Sequence, residues 1–121
     1  MAGRRLTGLE FNWFGKGQLL AKRYEHGESI DLEASVAALA ADASDDAKAG
    51  DAGPESLRRV AARLLLDADG ITTVDAEPAP LPMGRVGADR RIRALRRLAA
   101  NFQSAAIAIE VSKGRGATVP G

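Results

Sequence analysis

One apolar stripe constrains this chain more than any other pattern in it. Leu57, Val60, Ala61, Leu64 and Ala68 recur at intervals of three and four, the spacing that brings side chains to one side of an α-helix. Pro54 stands where a first helical residue belongs, and Gly70 offers a left-handed stop. A helix is therefore expected over 54–69. An element that is apolar on one side must bury that side against others, so the remaining segments have to supply its partners.

Two further stripes can do so. Leu32, Val36 and Leu39 recur among alanines behind Ser29, with Asp31 and Glu33 in the first turn, which predicts a helix near 30–42. Ile92, Leu95, Leu98, Phe102, Ala105, Ala106 and Ile109 follow Asp89, which predicts a third helix near 89–109. The expected core is Leu32, Val36, Leu39, Leu57, Val60, Leu64, Leu95, Leu98, Phe102 and Ile109. Elsewhere the pattern changes. Leu9, Phe11 and Trp13 alternate with Glu10 and Asn12, and Gly15-Lys16-Gly17 follows, which favours an N-terminal strand or hairpin. Ile71 to Val74 is β-branched throughout and reads as a lone strand. Residues 44–53 form an acidic, glycine-bearing loop, 77–87 a proline- and glycine-rich connector, and 113–121 a frayed tail. The fold class expected is α+β, mostly α, in a single domain over 1–121.

Composition narrows the chemistry. With no cysteine and a single histidine, His26, disulfides, iron–sulfur clusters, thiolate zinc sites and multi-histidine metal centres are excluded. No cofactor is expected. The longest apolar run, Val36 to Ala41, is far too short to span a bilayer. The segment after the basic N-terminus is broken by Thr7, Gly8, Glu10 and Asn12, so no signal core is present and a cytoplasmic location is expected.

Charge is near balance overall but segregated along the chain. Between Tyr24 and Glu55 there are nine acids and one base; from Met83 onward there are eight bases and two acids. On the last helix, with Ile92 taken as zero, Leu95, Leu98, Phe102, Ala105, Ala106 and Ile109 fall between about 220° and 320°, and Arg90, Arg93, Arg96 and Arg97 between about 40° and 160°, with Asp89 the one acid near them. Arg91 lies beside the apolar arc and is expected to snorkel outward. Three readings of the arginines stay open: a solvated face partly paired with the acidic segment, phosphate contact with a polyanion, or docking on an acidic protein surface or anionic lipid.

Other candidates are weaker. Phe11, Trp13 and Phe14 beside Lys16 could stack nucleobases, but a domain so short of aromatics buries them, Phe11 above all. Gly15-Lys16-Gly17 lacks the length and the following Ser or Thr of a phosphate loop. Glu25, His26 and Glu28 could offer acid–base groups, and Asp67 and Asp69 resemble calcium ligands only superficially. The expectation is a non-enzymatic binding or assembly subunit of a larger complex, such as a virion or nucleoprotein component. Its partners would be another protein or a second copy, with no small-molecule substrate, and its basic C-terminal helix would supply Arg90, Arg93, Arg96 and Arg97. The alternative is a nucleic-acid-binding protein that contacts phosphates through the same four residues.

Overall fold

The computed structural model describes residues 6–49, 53–75 and 84–118. They form four helices: α1 (Gly8–Glu25), α2 (Leu32–Ala49), α3 (Gly53–Asp75) and α4 (Gly84–Thr118). Among the described residues there is no strand, so the α+β expectation is overturned.

The expected hairpin is α1, and its start explains why. Thr7 and Glu10 make a reciprocal capping box: the Glu10 N–H donates to Thr7 Oγ1 at 3.3 Å and the Thr7 N–H to Glu10 Oε1 at 3.0 Å. Two otherwise orphaned donors are thereby satisfied at the first turn. Beyond it, Glu10, Trp13, Gly17, Leu20 and Ala21 are buried, a helical period that the three-residue alternation of Leu9, Phe11 and Trp13 obscures. Trp13 rather than Phe11 enters the core, and Phe11 is 65 % exposed, against expectation. At the far end Gly27 adopts φ +83°. Its N–H donates to the Tyr24 carbonyl, and the Glu28 N–H to that of Arg23, the paired bonds of a Schellman stop.

The lone strand expected at 71–74 is the last turn of α3. A four-residue strand has no neighbour to pair with. Extending an existing helix adds one hydrogen bond per residue, which outweighs the few tenths of a kcal/mol by which β-branched residues disfavour it. Residues 44–49 of the expected acidic loop complete α2, and 50–52 lie outside the described residues. The cap of α2 is Asp31, whose Oδ1 accepts from the Ala34 N–H at 3.1 Å, not Ser29. Residues 84–87 of the expected connector open α4, and 113–118 of the expected tail continue it, while 77–83 and 119–121 lie outside the described residues.

The side-chain pairings set the topology. Glu10 meets Arg59 and Gln18 meets Asp67, so α1 and α3 run parallel. Trp13 reaches Asp46, Glu25 reaches Arg91, and Arg58 reaches Glu110, which makes α1–α2, α1–α4 and α3–α4 antiparallel. The result is an up-down-up-down bundle in which α4, 35 residues long and therefore about 52 Å, packs against all three others. Of the ten expected core residues, nine are buried and Leu39 is half-buried. Trp13, Leu20 and a series of alanines complete the core. The Trp13 ring meets Phe102 edge-on, with centroids 6.5 Å apart, a favoured aromatic geometry. Where α1 crosses this core, a Cβ on Gly17 would stand 3.4 Å from Leu98 Cδ1 and 3.6 Å from Leu64 Cδ2. Gly17 is thus a buried position of a helix, where a methyl group would make ordinary contact with the core, and not a turn.

Candidate functional site: the outward face of helix α4

The four arginines singled out by sequence do not form one open patch. Arg90 turns back onto α1: its Nε donates to the Tyr24 carbonyl at 2.6 Å, and its guanidinium lies 3.9 Å above the Tyr24 ring. It satisfies a last-turn carbonyl of α1 and gains a cation–π contact, so it serves the fold. Arg97 pairs with Glu33 of α2 at 2.7 Å, both side chains exposed, a contact of the kind that contributes well under 1 kcal/mol. Arg91 does not snorkel into solvent. It is half-buried against α1, with Nη2 donating to Gln18 Oε1 at 3.2 Å and Nη1 3.5 Å from Glu25 Oε1. Its Nε is buried without a partner.

Arg93 and Arg96 are different. Both are exposed, and neither forms an ion pair or side-chain hydrogen bond among the described residues. Each turn of α4 buries its leucines and alanines against α1, α2 and α3, which drives the opposite side outward. At 100° per residue from Ile92, Arg96, Ile107, Ala100, Arg93 and Val111 fall between about 40° and 100°. Ile107 is 54 % exposed and Val111 48 %. The outward stripe of α4 is therefore cationic toward the N-terminal end and aliphatic toward the other. From Arg93 to Val111 it runs about 27 Å. Ile107 and Val111 fall outside the main apolar arc of the helix, which hides them from a search for its buried face. Their angles, inside the arginine arc, were the available signal.

The remaining candidates are occupied by the fold. Glu25 is held by Arg91 and Glu28 by Arg23, while His26 is an exposed C-cap whose backbone N–H donates to the Lys22 carbonyl. The hydrogen bond from Arg23 draws the Glu28 carboxyl below its ordinary pKa, the opposite of what a general acid near neutral pH needs. Asp67 accepts from Gln18. Phe14 is half-buried beneath Arg63, whose guanidinium lies 5.8 Å from the ring centroid, so the three aromatics do not form a shared stacking platform. Among the described residues no group of His, Asp and Glu is close enough to hold a metal ion, and no helix is long and apolar enough to cross a membrane.

Neither the family models, the curated proteins nor the solved structures with which the chain was compared give a match.

Proposed function

We propose that this chain is a non-enzymatic binding subunit of a larger assembly, and that it engages a partner protein through the outward stripe of α4. One observation carries the reading: Arg93 and Arg96 are exposed and make no ion pair among the described residues, not even with Asp89 one turn before Arg93, and they stand in line with exposed Ile107 and Val111. Cations steer an acidic surface into place and set its register. Covering the exposed half of an isoleucine and a valine supplies roughly 0.7–1.5 kcal/mol each. The expected partner surface is acidic at one end and offers an apolar recess at the other. The carboxylates and the histidine that could have done acid–base work are paired or dispersed, which supports a binding role over a catalytic one.

The test is a photo-crosslinking side chain placed at Ala100, midway along the stripe, in the cells that make the protein, with a control at exposed Glu55 on α3. Adducts to one defined protein from position 100 only, lost when Arg93 and Arg96 become glutamate, are expected. Equal adducts from both positions would refute the reading.

Phosphate contact is the second reading, favoured by the two guanidinium forks that have no ion-pair partner among the described residues. It now rests on two cations instead of four. The logarithm of duplex affinity should then fall against the logarithm of salt concentration with a slope of about −2, not about −4. Absence of any binding at low salt would remove this reading.

A further inference from the structure

The outer face of α1 carries a second surface, independent of α4. Phe11 is 65 % exposed and Leu19 58 %, one turn to either side of Gly15, and together with Asn12 and Lys16 they line a groove. Nothing lies within 4 Å of the place a Gly15 Cβ would take, so no contact inside the bundle calls for glycine there. Glycine in an exposed helix interior costs about 1 kcal/mol relative to alanine. What it provides is bare backbone that another helix can approach closely. Two exposed hydrophobics flanking such a residue make a seat for one.

Charge identifies the occupant. The acids of α1 face inward, Glu10 to Arg59 and Glu25 to Arg91. Lys16 and Lys22 are exposed and unpaired among the described residues. A second α1 is therefore a poor occupant, since lysine would face lysine. The suitable surface is a helix with small side chains and free acids, and this chain presents one. On α2, Ala34, Ala37, Ala38 and Ala41 are exposed, followed by exposed Asp42 and Asp45 with no ion pair among the described residues. The two stretches match in length: Phe11 to Lys22 and Ala34 to Asp45 each rise about 16 Å. Each stretch closes on a charge, Lys22 on α1 and Asp45 on α2.

We infer that two copies of this chain associate, with α1 of one seated on the alanine–aspartate face of α2 of the other. The two helices run the same way, Phe11 and Leu19 cover the alanines, and Lys16 and Lys22 reach Asp42 and Asp45.

Analytical ultracentrifugation of the full chain across a concentration series tests this. Wild type should move from monomer to dimer or higher species as concentration rises, and added salt should weaken the association. Lys16→Glu with Lys22→Glu, and separately Asp42→Lys with Asp45→Lys, should each weaken it at least tenfold, with helicity and thermal melting unchanged. Mixing the two variants should restore association, because each supplies the charge the other has lost. Wild type that stays monomeric into the hundreds of micromolar would overturn the inference and leave the groove to a different acidic helix. Association indifferent to both charge reversals, or a mixture that stays monomeric, would overturn it too.

Discussion

Glu10 is buried to 0 % exposure and still charged, and its removal should be felt across the fold. Burial pushes its pKa up, but the Arg59 hydrogen bond, the Thr7 N–H, Ser56 and the attraction of the Arg59 charge together outweigh that. The carboxyl consequently titrates below its ordinary value of 4.5. Oε2 accepts from Arg59 Nη2 at 2.6 Å and Nε at 3.0 Å, while Oε1 closes the capping box with Thr7. Glu10→Ala removes the reciprocal cap, at about 1 kcal/mol, and leaves Arg59 without its partner. Orphaning a fully buried charge costs about 3–5 kcal/mol, but Arg59 is 31 % exposed and can turn toward water, so about 1–2 kcal/mol is the appropriate figure. The sum, about 2–3 kcal/mol, lowers the Tm of a 121-residue chain by roughly 8–12 °C.

The charge contribution has a sign that can be checked. Because folded Glu10 holds its proton less tightly than the unfolded chain does, its stabilisation is complete above the unfolded value of 4.5 and fades as pH falls through the lower folded value. Glu28 and Glu110, lowered by hydrogen bonds from Arg23 and Arg58, act the same way in every variant. The informative quantity is therefore the stability gap between wild type and Glu10→Gln in urea melts. That gap should be clear at about pH 7 and smaller at about pH 3, below the ordinary value of 4.5. An equal gap at both pH values would refute the role of the charge, and no gap at neutral pH would refute the network. Replacing Glu10 and Arg59 together by methionine should recover much of the loss, since neither charge is then left alone.

Two further outcomes follow from the packing. Gly15→Ala and Gly17→Ala should each stabilise the monomer by about 1 kcal/mol, since a Cβ at 15 meets nothing and one at 17 meets Leu98 and Leu64 at ordinary contact distance. Gly17→Val should destabilise by about 1–3 kcal/mol in the same thermal melts, and equal tolerance of valine at 15 and 17 would refute the burial of Gly17 in the core. Trp13→Phe should cost about 2 kcal/mol in urea melts, through loss of the 3.0 Å bond to Asp46 Oδ2 and of part of the ring volume. A loss below 0.5 kcal/mol would mean that bond contributes nothing.

The legible part of the fold was the part with a long apolar period. Three helices and nine of the ten expected core residues could be read because leucine, valine and phenylalanine repeat over several turns. The fourth helix was missed because its inward side is built from Glu10, Trp13, Gly17, Leu20 and Ala21, of which only two are large hydrophobics. Thr7 and Glu10, three residues apart, carried the start signal. Glycine at 15 and 17 argued for a turn because local preference was weighed without the neighbours that α1 meets at Gly17. The last turn of α3 was lost for the same kind of reason: ITTV prefers strand only where a second strand can pair with it. At the candidate site, helical angle separated the arginines from the core. It could not tell which of them other helices would claim, since Tyr24 and Glu33 lie more than sixty positions away in sequence from Arg90 and Arg97.

That partition of charge bears on what the surface does. Segregation along the sequence suggests a strongly acidic region facing a strongly basic one, yet the fold brings parts of the two together. Arg97 meets Glu33, Arg91 approaches Glu25, and Arg90 sits on Tyr24. Among the described residues the charges outside any ion pair include Lys16 and Lys22 on α1, Asp42, Asp45 and Lys48 on α2, Glu55 on α3, and Asp89, Arg93 and Arg96 on α4. A protein that coats a polyanion gains affinity from every cation it keeps exposed. A bundle that engages most of its described arginines internally, and leaves small charged patches beside exposed Phe11, Leu19, Ile107 and Val111, is better suited to bind other proteins. The apolar contacts contribute most of the affinity, and the remaining charges set which surface meets which.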